Sequence, residues 1–149
     1  MTLFRRKPKK GEEGFTLVEI MVVVFIIGLL SSVVLFNVLG ARTDAQMKTA
    51  RANIAALSNA LEQYSLDMYD YPSEADGLEA LVEKPESATD SATYRPGGYI
   101  NKLPADPWGR AFVYVRPAEK SSRAYDLYSL GSDGQEGGEG PDADIGNWN

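Results

Sequence analysis

The chain has 149 residues with a net charge of −6, enough for one modest domain and an additional element. It contains neither Cys nor His, which excludes disulfides, thiol nucleophiles, and the usual His-based triads and zinc sites. Its acidity argues against a nucleic-acid partner.

The charge is unevenly distributed. The first fourteen residues hold Arg5, Arg6, Lys7, Lys9 and Lys10 against Glu12 and Glu13, a net of +3, leaving −9 for the remainder. A basic tip on an acidic body suggests two sides of a membrane. From Ile20 to Ala41 the run "IMVVVFIIGLLSSVVLFNVLGA" has no charge. About 20 helical residues span the ~30 Å hydrocarbon core, and this run is too long for a buried strand. Because the bases precede it, the N-terminus should remain cytoplasmic. A cleaved secretory signal would have a shorter apolar core followed by small residues, whereas here Gly14 precedes the run. The pattern therefore fits an uncleaved signal-anchor helix better.

Glu19 stands at the start of this run. An acid within a membrane helix is costly, about 3 kcal/mol for Asp at the bilayer centre and less near an end. Two readings follow. Glu19 snorkels toward the interface at the positive end of its helix, or its charge meets a specific cation. A cut after Gly14 would supply one, the free amine of Phe15, four residues away on the same helical face or on a neighbouring subunit.

The segment "KKGEEGFTLVEIMVVVFIIGLL" resembles the type IV prepilin signal: a basic leader, Gly14, Phe15, Thr16-Leu17, then Glu19 before a membrane helix. The resemblance implies cleavage between Gly14 and Phe15 by a prepilin peptidase and N-methylation of Phe15. It also implies a role for Glu19 in membrane extraction and fibre register.

Beyond Arg42, Met47, Ala50, Ile54, Leu57, Leu61, Tyr64, Met68 and Tyr71 recur at steps of three and four, one apolar stripe on a helix. No Pro interrupts Phe15 to Tyr71, and Pro72 ends the pattern. The reading is one helix of roughly 80 Å, half in lipid and half in water. Its stripe is short for a coiled coil and fits packing on a sheet of the same chain better. Ser73 would cap a short helical segment closed by Pro85. Residues 86–107 read as a loop. "AFVYVR" (111–116) and "AYDLYSL" (124–130) read as two strands, with Arg110 and Arg116 as solvated edge residues.

The final stretch, "LGSDGQEGGEGPDADIGNWN", holds Asp133, Glu136, Glu139, Asp142 and Asp144 with no base. Glycine and acid favour a disordered tail, yet Leu130, Ile145 and Trp148 bracket the segment as anchors. Convergent carboxylates would repel each other without a cation, and a hard cation with oxygen ligands, calcium above all, would answer that. The spacing is not that of an EF-hand.

"LPADPWGRAFVY" and "YDLYSLGSDGQEGGEGPDADIGNW", with "GLEALV", resemble the major pseudopilins of type II secretion systems. That resemblance covers nearly the whole chain. It implies an α+β, type IV pilin-like fold, a long N-terminal helix packed on a small antiparallel sheet. It implies a cleaved leader (1–14), a transmembrane and fibre-core helix (15–41) and a periplasmic domain (42–149). Calcium would be bound by the Leu130 carbonyl, Asp133, and Asp142 or Asp144. The partners implied are further copies in a pseudopilus, minor pseudopilins, the prepilin peptidase and an inner-membrane assembly platform. The chain would be no enzyme but the substrate of one. Family members usually carry Pro-Asn where this chain has Phe36-Asn37, which puts local melting of the helix in doubt. A type IV pilin is the alternative, disfavoured by the missing Cys. A membrane-anchored calcium-binding domain leaves the Gly14-Phe15 pair without a purpose.

Overall fold

The computed structural model describes residues 14–88 and 93–148, and of residues 35–39 the backbone alone. The basic leader ahead of Gly14 and the side chains of Phe36 and Asn37 lie outside the described residues. One helix, α1, runs from Leu17 to Met68, as the Pro-free stretch leads one to expect. The chain divides into two compact units after Gly40.

In the first unit, Leu17–Val34 is long and apolar enough to cross a membrane. Its large apolar side chains are all exposed, from 47% at Val23 to 75% at Leu17. Among the described residues nothing covers a face of this helix, a surface suited to lipid or other chains. The hydroxyls of Ser31 and Ser32 donate to the carbonyls of Ile27 and Leu29, each at 2.7 Å. Both polar groups are thus satisfied within the helix, the arrangement an apolar surrounding requires.

In the second unit the stripe is buried where its spacing places it. Ala50, Ile54, Leu57, Leu61 and Tyr64 are core residues, and Met47, Met68 and Tyr71 pack against them. They meet Leu78 and Leu81 of a 3-10 helix at Gly77–Leu81, together with Phe112, Tyr125, Leu127 and Ile145. The stripe thus packs on its own chain's sheet rather than on a second helix. Ser73 organises the approach to the 3-10 helix: its hydroxyl oxygen accepts the Asp76 amide at 3.1 Å and donates to the Asp76 carboxylate at 2.6 Å.

The sheet is antiparallel, with strands β1 (Val113–Val115), β2 (Asp126–Ser129) and β3 (Ile145–Gly146) in that spatial order. Val113 faces Tyr128 and Val115 faces Asp126, while Tyr128 and Ser129 face Gly146 and Ile145. The sequence reading found the first two strands, somewhat too long, and missed the third. All four residues of β2 are buried, so the strand shows no alternation between core and solvent. The core covers one face. On the other, Trp148 packs on Tyr128, ring centres 5.4 Å apart, while on the Leu127 side the Ser129 hydroxyl donates to Asp106 at 2.7 Å.

Candidate functional site

Two regions carry the residues singled out by the sequence, and each lies in its own unit. At the N-terminal one, Gly14, Phe15 and Thr16 precede the helix, and all three are exposed. The Thr16 hydroxyl oxygen accepts the Glu19 amide at 3.2 Å, and the Thr16 carbonyl takes the first helical bond, from Ile20, at 3.2 Å. Thr16 is therefore the N-cap, and Thr16-x-x-Glu19 has the spacing of a capping box. Glu19 falls in the first turn, where the helix dipole favours an anion. Phe15 lies just ahead of the cap, so the shared helical face expected for Phe15 and Glu19 is not formed here. The capping role of Thr16 was readable in the T-x-x-E spacing and was missed.

The C-terminal loop is ordered around two cations, Lys120 and Arg110, and carboxylates of the same unit. Lys120 reaches from the β1–β2 connection. Its ammonium lies 3.3 Å from Asp144, 3.7 Å from Glu136 and 4.8 Å from the centre of the Tyr128 ring. Asp144 also accepts the Gly137 amide at 3.1 Å. Burial, then the hydrogen bond to Glu136, pushes the Tyr128 phenol up to about 12, so it remains a donor at neutral pH. Arg110 donates to the carbonyls of Gly131 and Ser132 and lies 3.8 Å from the buried Asp106. Asp106 in turn accepts the amides of Trp108 and Arg110 at 3.0 and 2.7 Å. Gly131 (φ +66°) and Gly138 (φ +76°) pass directly beneath the Asp142 carbonyl, where a Cβ would collide with backbone.

The calcium expectation is corrected here. Among the described residues no group of three or more His, Cys, Asp or Glu is placed to hold a metal ion. Leu130 is half-buried just past β2. The Asp133 carboxylate accepts the Gln135 amide at 3.0 Å, closing a turn. Asp142 starts no cluster, and Asp144 faces Lys120. The argument from like-charge repulsion was sound, but the compensating charge is an ammonium and a guanidinium of the chain itself. Arg110 and Arg116 are likewise not solvated edge residues. Arg116 pairs with Asp70 at 2.6 Å and donates to the Tyr71 carbonyl, fastening β1 to the chain beyond α1.

Two buried acids that the sequence reading passed over hold the frame. Asp126, fully buried, accepts the Glu119 and Lys120 amides at 2.7 and 2.5 Å and the Ser121 hydroxyl at 2.6 Å. Burial pushes its pKa up, but the hydrogen bonds from Ser121, Lys120 and Glu119 outweigh that and hold it below the ordinary value. Asp126 thereby fixes the connection that carries Lys120. Asp106 does the same for the turn that carries Arg110.

The family described as type II secretion system (T2SS), protein G matches residues 37–148. The prokaryotic N-terminal methylation motif matches residues 9–35. The chain is 50% identical over 143 residues to the type II secretion system core protein G of Vibrio cholerae, spanning 96% of each chain. To that of Pseudomonas aeruginosa it is 46% identical over 140 residues, covering 94% of this chain and 97% of the relative. The crystal structure of the major pseudopilin from the type 2 secretion system of enterohaemorrhagic Escherichia coli aligns with a TM-score of 0.63 at 38% identity, over 75% of this chain and 94% of that one. The chain belongs to the protein G family of the type II secretion system and is a major pseudopilin subunit of that system.

Proposed function

We propose that the chain is made as a precursor inserted in the inner membrane with residues 1–14 on the cytoplasmic side. A prepilin peptidase cuts between Gly14 and Phe15, and Phe15 is N-methylated. Residues 15–41 span the membrane and later form the core of a pseudopilus, while residues 42–149 stand in the periplasm. Copies leave the membrane on an inner-membrane assembly platform, with minor pseudopilins, and stack into a short fibre that drives folded proteins toward the outer membrane. The chain builds structure and catalyses nothing.

One observation carries this reading. The helix from Leu17 to Val34 exposes every large apolar side chain, and its single acid sits in the first turn beside the Gly14–Phe15 bond. Such a surface needs lipid before assembly and other helices after it. The charge at Glu19 then requires a cation that the described helix does not carry, and the Phe15 amine of a neighbouring copy supplies it. The test is overproduction in cells lacking their own protein G. Sheared surface fibres should contain this chain as their main subunit, and export should be restored. Export restored with the chain found only as a membrane monomer would contradict the fibre.

A further inference from the structure

On the second unit, α1 and the chain around β3 enclose a groove of about 200 Å³. Arg51 stands on its helical side and Arg123 on the other, with Ala55 and Ser58 between them. Both arginines are exposed, and among the described residues neither has an ion-pair partner. The floor is rigid: Asn147 donates to the Tyr125 carbonyl at 3.1 Å and accepts the Leu127 amide at 3.2 Å. Two arginines lining one groove, in a chain with 21 acids, offer a seat for a carboxylate. Arg favours this because its planar donors bind carboxylate in a forked geometry.

The same molecule presents a complementary group. Glu136 and Asp144 share Lys120, and Asp133 closes its own turn. Glu139 is exposed, caps the 3-10 turn Gly140–Asp142 without a side-chain bond, and sits on an ordered backbone. That backbone is held by bonds from Asp142 to Glu139, Ser132 to Pro141 and Asp144 to Gly137, at 3.0–3.2 Å. Exposed Glu83 and Glu86 flank Lys84, whereas residues 131–146 contain no base at all. A head-to-tail contact between identical subunits needs two different complementary patches on each copy, and these two meet that requirement.

We propose that the Arg51–Arg123 groove receives the Glu139 carboxylate of a neighbouring copy. The contact rests on the fibre reading above and adds a second, periplasmic joint to the one at Glu19. It uses the C-terminal loop as a plug held in shape by Lys120 and Arg110.

The chain has no native cysteine, so paired substitutions report cleanly. In the full chain, Ala55→Cys with Glu139→Cys should give, on oxidation of assembled fibres, a ladder of covalent dimers and higher multimers. Intact fibres without a ladder, or only monomers closed on themselves, overturn the contact. If that pair blocks assembly, charge reversal decides. Arg123→Glu and Glu139→Arg should each lower sheared-fibre yield about fivefold, and the double variant should recover it. Single variants at full yield, or a double no better than its parents, overturn the contact. Absence of fibres from the unsubstituted chain would instead contradict the assembly reading itself.

Discussion

The chain poses the same electrostatic problem twice and solves it in two ways. Glu19 is a lone acid opening an apolar helix whose surface the described residues leave uncovered. The C-terminal loop gathers five acids without a base. In the loop the compensation is internal, from Lys120 and Arg110, each placed by a buried aspartate. At Glu19 the described unit offers no cation, and the account places that partner on another copy. Composition reveals that a charge needs a counter-charge; only the fold reveals whether the chain supplies it. Under the proposed fibre reading this becomes a division of labour, with Glu19 expected to serve assembly and the loop's pairs the stability of the domain.

The sharpest way to break that division is Glu19→Ala. Removing the charge favours lipid, so membrane insertion should be normal. A Glu19–amine pair near the membrane face is worth a few kcal/mol, partly offset by desolvation, so fibre yield should fall at least roughly tenfold. Normal yield would reduce Glu19 to a snorkelling residue. The opposite behaviour is expected of Arg110→Ala. Losing its bonds to Gly131 and Ser132 and its proximity to Asp106 should cost about 2–3 kcal/mol. A fragment of residues 42–149, which contains the entire core, should melt ~10 °C lower. An unchanged melting temperature would make the loop independent of its cation.

Asp126→Asn sharpens the internal half through pH. Its folded pKa is depressed from 3.8, so its stabilisation is fully present above that value and is lost as pH falls below it toward the folded pKa. The wild-type fragment should lose stability in acid over that window, and the variant should start about 2 kcal/mol weaker at neutral pH with a flatter acid limb. Equal acid slopes would remove Asp126 from the argument. The smallest effect is a control outside both regions. Tyr69 ends α1 at φ +65° while 81% exposed, a backbone region that disfavours a Cβ. Tyr69→Gly should raise the stability of the fragment by about 0.5–1 kcal/mol and leave fibre yield unchanged, as chemical denaturation and shearing would show.

What the sequence made legible follows from what repeats. The stripe from Met47 to Tyr71 was readable because a buried helical face recurs every three to four residues, and the membrane helix because its run is long. β3 was invisible because a two-residue strand at Ile145–Gly146 cannot display alternation. Lys120 looked like an ordinary loop base, since its partners Glu136 and Asp144 lie 16 and 24 residues further on. Arg110 and Arg116 were misread for the same reason, their acceptors being mainly backbone carbonyls, which carry no sequence signal. Calcium was inferred from an acidic loop held between apolar anchors and from the family resemblance, and neither says which way the carboxylates of this chain point.

The most direct measurement is the intact mass of the chain taken from sheared fibres. The Glu19 partner in this account exists only if the bond after Gly14 is cut. The expected mass is that of residues 15–149 with one added methyl group on the Phe15 amine. A fibre subunit that retains residues 1–14 would have no free Phe15 amine to offer Glu19 and would contradict the account.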